Sequence, residues 1–464
     1  MQPLSTSWLD VEKNILSTLQ TLARASSYPD AVLNTLRYMF FHMRCGILVS
    51  IRGGVVKQFS PFANKQYQNN WSPKLAFRGG SLSSYVSMKS SVLRRRPEVL
   101  LPPSSWWMNG GILCNVMPDE VWGDAHCEEL LDMIQQTCAE HTIADCDFFI
   151  NKRDYPHLKR DGSDPYCRFL GDGPLSRESY TSYAPIFSFY TGDDFADVTI
   201  PLTEDWRLAT SVEETAPLAP WDDAAPIAIF RGSATGNYIT PDKNIRLKLV
   251  LHGVEHSEYV DAGLVSYNQR DKIVGVRRDG AVLVDFLRPS EHGLPPLVPR
   301  MTLQDQAKAC KYILYADGHC AASRYGALMK SGRTILRIES ERKADGGHLW
   351  LFDDAVSAIV EDGTDNVPDD ADHFLIRANL RNLNETIAYL RTHDLVARCV
   401  AGNALAKAPT RARILDAWRK AMVSEPKLTE RPSKGFRMWF SPYDARYAAL
   451  RRTDASTRMF STKL

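Results

Sequence analysis

No apolar run in this 464-residue chain approaches the roughly 18 residues that a membrane-crossing helix needs, so no membrane span is expected. Net charge is nearly absent as well. Fifty-six Lys and Arg against 55 Asp and Glu leave +1, without the basic excess that points to nucleic acid or an anionic lipid surface. The nine cysteines include no C-x-x-C pair and are odd in number, which argues against a disulfide framework or a zinc site and for reduced core thiols. The opening MQPLSTSWLDVEK lacks the basic start and apolar core of a secretory leader, so a cytoplasmic protein is expected. What is present, 44% hydrophobic residues with ten Trp, suits a packed globular chain, and the length suggests two cores rather than one.

The chain is organised around residues 311–332, KYILYADGHCAASRYGALMKSG. Tyr312 to Ala316 form an apolar run of strand length, Asp317-Gly318 turns the chain, and Tyr325, Leu328 and Met329 have helical spacing up to Gly332. A strand feeding a helix through a small-residue turn aims the first helical amides above the strand end, where a phosphate fits. Arg324 adds a permanent charge able to grip two oxygens. The plain alternative is an ordinary strand-turn-helix of an α/β sheet.

Taken in order, residues 1–45 read as helical and 47–62 as a hairpin turning at Gly53-Gly54. The basic run Arg94-Arg95-Arg96 reads as a solvated face. A helix is expected over 127–139, and Phe148 to Ile150 form a buried strand followed at once by NKRDYP. Asp154 then stands past a strand end, as a general base or as a turn-capping acid. Ile186 to Tyr190 make another strand, followed by an extended segment ending at Trp206. Asp193-Asp194 supply fewer oxygens than a hard cation takes, so no metal is expected. The Pro, Ala and acid-rich stretch 211–226 reads as a linker. Ile227 to Phe230 is a strand, 231–236 (RGSATG) a small-residue loop, and Arg246 lies in the first turn of a helix from Asn244. Strands follow over 334–341, with Glu339 at the end, and 356–363; residues 372–424 read as three amphipathic helical runs, and the aromatic tail from Gly435 as packed.

Together, FINKRDYP, PIFSFY, FRGSATG with a later Arg, CKYILYADGHCAASR and a strand ending in IES resemble, in order and spacing, the protein O-glucosyltransferase and capsule-associated glycosyltransferase family, over roughly residues 145–345. The resemblance implies an α/β protein of GT-B type, two Rossmann-like domains facing a cleft. The corresponding division is 1–222 on the acceptor side, 226–405 binding the nucleotide sugar, and 406–464 packing back on the first domain. It implies an inverting transferase that needs no metal or other cofactor and moves glucose or xylose from a UDP-sugar to a glycan or glycoprotein hydroxyl. The family's catalytic aspartate falls on Asp154. Its donor-site positions fall on Arg231, Ser233, Arg246, Asp261, Ala262 and the stretch His319, Cys320, Ala321, Ala322, Ser323, Arg324. Glu339 is a candidate for the ribose hydroxyls.

The chemistry needs little more. Inversion requires one base, and a carboxylate with an ordinary pKa near 4 is ionised at neutral pH; the departing diphosphate needs cations and amide groups around it. The sequence also departs from the family: HLWLFDDAVSAIVEDG replaces the usual aromatic, proline-containing segment, and the cysteine framework of the endoplasmic-reticulum members is missing. That weakens the case for an EGF-like acceptor. Residues 47–71 look like segments in glycosyltransferase-like proteins of large DNA viruses, so a viral enzyme working in host cytoplasm is the expected setting. Two other readings stay open: a non-catalytic nucleotide- or glycan-binding protein on the same fold, and a metal-dependent phosphohydrolase using Asp193-Asp194.

Overall fold

Two glycines in succession decide the first sheet. Gly53 and Gly54 have φ of 60° and 69°, which suits a two-residue hairpin turn and disfavours residues with a Cβ. They join β1 (Cys45–Arg52) to β2 (Val55–Ala63) in a computed structural model that describes residues 26, 29–39, 45–63, 75–77, 107–109, 112–114, 124–151, 153–159, 183–211, 218–267, 272–276, 282–341, 343 and 346–423. The expectations for most of residues 1–44, for Arg94-Arg95-Arg96 and for the tail from Gly435 lie outside the described residues.

Strands β3 (Leu75–Phe77), β4 (Trp107–Asn109) and β5 (Ile112–Cys114) are short, and β4 and β5 pair with each other. The first sheet continues with β6 (Cys146–Ile150), β7 (Ile186–Ser188) and β8 (Val198–Thr199), in the order β2-β1-β6-β7-β8. Strand β6 is antiparallel to β1 and parallel to β7, and β7 is parallel to β8, so this sheet is mixed. Helix α1 (Pro29–Arg37) and helix α2 (Asp124–Glu140) accompany it. Leu130, Met133 and Ile134 of α2 share one apolar cluster with Ile47, Phe148 and Phe187. The Phe148 and Phe187 rings stack at 4.3 Å. Helix α3 (Thr203–Thr210) replaces the extended segment expected to end at Trp206. Glu204 and Asp205 in its first turn favour a helix start, and with barely two turns its buried stripe is too short to show a period in sequence.

The second sheet is built from β9 (Ala225–Ser233), β10 (Val260–Ser266), β13 (Cys310–Tyr315), β14 (Thr334–Ile338), β15 (Ser357–Glu361), β16 (Thr364–Asn366) and β17 (His373–Ile376). Between β10 and β13, β11 (Lys272–Val276) and β12 (Val282–Asp285) form a small sheet with β3. The large sheet runs β10-β9-β13-β14-β17-β15-β16, and every pair in it is parallel except β15 with β16. Helices α4 (Ile245–Glu255), α5 (Leu303–Ala309), α6 (Tyr325–Met329), α7 (Leu383–Thr392) and α8 (Asp394–Ala406) belong to this half. Strand β17 corrects the expectation of helix from residue 372. HFLI is four residues, three of them apolar, in the interior of a parallel sheet, and such a run shows no alternation to mark it as a strand.

Alternate residues of this sheet serve two cores. Phe230, Tyr312, Leu314 and Phe374 pack with Leu383 and Ile387 of α7; Ile229, Ile313, Tyr315 and Ile335 join the cluster that also holds Ile47, Phe148 and Phe187. The two sheets therefore share one apolar core. Helix α9 (Arg411–Val423) completes it with a stripe at Ile414, Leu415, Trp418, Ala421 and Met422 that lies against α2. Trp418 is fully buried, its Nε1 3.3 Å from Met133 Sδ, and burying a side chain of this size stabilises by roughly 1.5–3 kcal/mol.

A buried acid lies at this junction. Asp205 on α3 accepts a 2.7 Å hydrogen bond from Trp350 Nε1, and burial pushes its carboxyl up to about 7. A folded pKa above the unfolded value near 4 means that the stabilisation is complete below about pH 4 and is lost as pH rises through about 7. Asp205→Asn keeps an acceptor for Trp350 and has no proton to lose. Its melting temperature is expected to stay level from pH 5 to 8.5 where that of the wild type falls, a difference on the order of a few kcal/mol at the alkaline end. Parallel melting curves would refute the assignment.

Candidate functional site

The order of the large sheet creates its own crevice. From β9 the chain goes to β10 on one side and then to β13 on the other, so the carboxyl ends of β9 and β13 mark a topological switch point, where ligands bind in open α/β sheets. Most of the residues expected in a donor site stand there. Arg246, in the first turn of α4, is buried and donates from Nε to Asp317 O (2.8 Å), from Nη1 to Ser233 O (3.1 Å) and from Nη2 to Ala316 O (3.1 Å). It laces the two strand ends together, with burial holding its pKa below the usual arginine value. Gly318 permits this approach, because a Cβ there would stand 2.7 Å from Thr235 Oγ1 and 3.3 Å from Arg246 Nη2.

Arg324 is differently placed. Its Nη1 donates to Arg231 O at 2.7 Å and its guanidinium lies 4.9 Å from the centre of the Phe230 ring. Its Nε and Nη2 are shielded from solvent and have no partner among the described residues. Burial, reinforced by the neighbouring Arg246, brings its pKa down to about 10, still charged at neutral pH. Two guanidinium groups thus crowd one end of the sheet, and two buried charged donor atoms lack the acceptor whose absence costs about 1–3 kcal/mol each.

The other candidates are more settled. Arg231 pairs with Asp261 at 2.6 Å and also donates to Asp261 O, with the carboxylate half-exposed; a pair so placed contributes about 0–1 kcal/mol. Ser233 Oγ accepts from Ser266 Oγ at 2.8 Å, and Ala262 packs into the apolar layer beside α4. Glu339 accepts from Lys343 at 2.7 Å, a contact that holds its carboxyl below the usual range. In the loop after β13, Gly318 N donates to Cys320 O, Ala321 N to Gly346 O (2.8 Å) and Ala322 N to Tyr315 OH (2.6 Å), while Ser323 is half-buried. These three loop amides are occupied and α6 has only five residues, so the guanidinium groups supply the anion-seeking charge at this end of the sheet. The reason is that the strand end folds back onto its own loop before the helix begins.

His319 Nδ1 lies 3.3 Å from Asn237 Oδ1, and that same oxygen accepts from Tyr155 OH at 3.0 Å. Tyr155 belongs to the loop after β6 that carries Asp154, which is exposed. The structure thus ties the loop of Asp154 to the loop of His319. Tyr155 and Asn237 were not singled out from sequence; Tyr155 sits inside the RDYP motif, whereas nothing local distinguishes Asn237. Among the described residues no three His, Cys, Asp or Glu side chains converge as metal ligands would, Asp193-Asp194 included.

A second constellation lies at the amino ends of β15 and β17. Ser357 Oγ is 2.8 Å from His373 Nε2, and His373 Nδ1 is 2.6 Å from Asp372 Oδ1, the order of a serine hydrolase relay. Here His373 is fully buried, which holds its imidazole pKa below the usual value, and Asp372 is already neutralised by Lys407 at 2.8 Å. Burial alone would raise the Asp372 carboxyl, but the hydrogen bonds from His373, Lys407 and Val356 N outweigh it. This arrangement ties two strands and does not activate a nucleophile. Ser357→Ala is expected to cost about 1 kcal/mol of stability, and the wild type to resist fluorophosphonate labelling; a label on Ser357 would reverse the assignment.

No protein-family model matches the chain. Its relatives are viral. The chain is 27% identical over 424 residues to the uncharacterized protein 035R of Invertebrate iridescent virus 3, covering 85% of this chain and 36% of that protein. It is 26% identical over 456 residues to the uncharacterized protein 179R of Invertebrate iridescent virus 6, covering 85% and 37%. It is 26% identical over 397 residues to the uncharacterized protein 027R of Frog virus 3, covering 80% and 39%. The chain therefore spans well under half the length of these relatives. No helix among the described residues is long and apolar enough to cross a membrane.

Proposed function

We propose that this chain is the nucleotide-sugar-using part of a viral glycosyltransferase, moving glucose or xylose from a UDP-sugar to a glycan or glycoprotein hydroxyl with inversion, in a two-domain arrangement of GT-B type. The observation that carries the reading is the pair of unpartnered, shielded nitrogens on Arg324 beside Arg246 at the sheet's switch point. A diphosphate is the ligand class that matches: it brings two or more anionic oxygens to a planar fork of N–H donors. Asp154, exposed on the facing loop, is the base. It takes the proton of the acceptor hydroxyl as that oxygen bonds to the anomeric carbon. The bond from that carbon to the diphosphate oxygen breaks on the opposite face, and the departing charge falls to Arg324, with Arg246 adding its field.

The test is donor turnover. Purified protein is offered UDP-, GDP- and dTDP-sugars, each with and without chelator, and released nucleoside diphosphate is measured together with nucleotide affinity. One donor turned over, with or without chelator, supports the reading and names the sugar. If no nucleotide binds, the site is not a donor site.

A further inference from the structure

Resting on the reading of this site as a sugar-transfer site, we propose that Tyr155 and Asn237 are positioning residues that fix the distance between Asp154 and the donor loop. The loop bearing Asp154 is clamped to its own sheet on both flanks. Asn151 Nδ2 donates to Tyr155 O at 2.6 Å and to Ser188 Oγ at 3.0 Å, and Asn151 Oδ1 accepts from Arg153 N at 2.8 Å. Beyond Pro156, the amides of His157 and Leu158 donate to the buried Asp197 carboxylate at 2.8 and 2.6 Å. Little slack is left in the backbone around Asp154.

From this clamped loop the Tyr155 hydroxyl crosses to the other half of the molecule and donates to Asn237 Oδ1. Asn237 is itself anchored, since its carbonyl accepts from Ile273 N at 2.6 Å. The same Oδ1 faces His319 Nδ1, and when both neighbours donate to it His319 carries its proton on Nδ1. Pro156 lies in the same place: its Cδ is 3.7 Å from where a Cβ on Gly346 would stand, and Gly346 O accepts from Ala321 N in the donor loop. One oxygen thus registers the base-bearing loop against the loop that follows β13. Displacing an attacking group by about 1 Å can cost on the order of a hundredfold in rate, so a single hydrogen bond at this point has leverage.

The experiment uses the full chain and the donor that the turnover panel selects, measuring kcat, donor KM, nucleotide Kd and melting temperature. Tyr155→Phe keeps the ring and removes the bond; kcat is expected to fall about 10- to 100-fold while donor KM and nucleotide Kd stay within about twofold. Asn237→Ala is expected to match it, Asn237→Asp to keep most of the rate because it still offers an acceptor, and Tyr155→Phe with Asn237→Ala to be no worse than Asn237→Ala alone. A Tyr155→Phe enzyme with wild-type kcat overturns the positioning role and leaves the site reading intact. A wild type that neither binds nucleotide nor turns over any donor overturns the site reading and this proposal together.

Discussion

Arg324→Met is expected to weaken binding of uridine diphosphate about a hundredfold, because it removes a charged fork with two unclaimed donor atoms from a shielded site. The same substitution is expected to leave the ligand-free protein within about 1 kcal/mol of wild-type stability. Two buried N–H-bearing atoms without partners cost about 1–3 kcal/mol each, and Met deletes that cost along with the repulsion from Arg246. Against this stand the loss of the Nη1 bond to Arg231 O and of the contact over Phe230, worth about 0.5–2 kcal/mol for the cation on the ring. Isothermal titration and thermal melts on one sample separate the two effects. A structural arginine would give the reverse pattern, with stability lost and whatever affinity exists unchanged. Arg246, whose three bonds go to carbonyls on two strand ends, is expected to cost stability first when replaced, with a smaller loss of affinity from its missing field.

Asp154→Asn is expected to lower turnover about 10²- to 10⁴-fold, the usual contribution of a positioned base, with nucleotide affinity unchanged. The substitution preserves size and removes only proton-accepting power. Asp154 is exposed on its loop, so little fold stability depends on it. The split between binding and chemistry is the informative result. If the asparagine variant turns over donor at the wild-type rate, the base lies elsewhere, and the exposed acid returns to its alternative as a turn residue.

The strands that carry the site were legible because they are short apolar runs closed by turn chemistry. Tyr312 to Ala316 before Asp317-Gly318 announce themselves by composition and punctuation, and so do Ile227 to Phe230, although the strand runs on through Arg231, Gly232 and Ser233, which read as loop in the sequence. So did the hairpin at Gly53-Gly54, whose positive φ values suit glycine. The strand at 373–376 and the helix at 203–210 were not legible. The first is a four-residue run just ahead of a helix, too short to show alternation, and the second has too few turns to display a period.

Residue identity alone determined that arginines, a serine and an acid accompany the ends of particular strands, and hence that an anionic ligand and an acid–base step are the chemistry to look for. Which of those groups remain available was decided by the tertiary structure. Arg246 became a lace between β9 and β13, Glu339 turned to Lys343, Arg231 to Asp261, and the amides of Ala321 and Ala322 in the loop after β13 were taken by Gly346 and Tyr315. Among the described residues, Arg324 kept two charged donor atoms without acceptors. The meeting of Tyr155 with Asn237, 82 residues apart, was likewise settled by the packing of two sheets on one core. Hydrogen bonds are short-ranged and directional, so which donor finds which acceptor depends on ångström-scale placement that residue types and spacing do not encode.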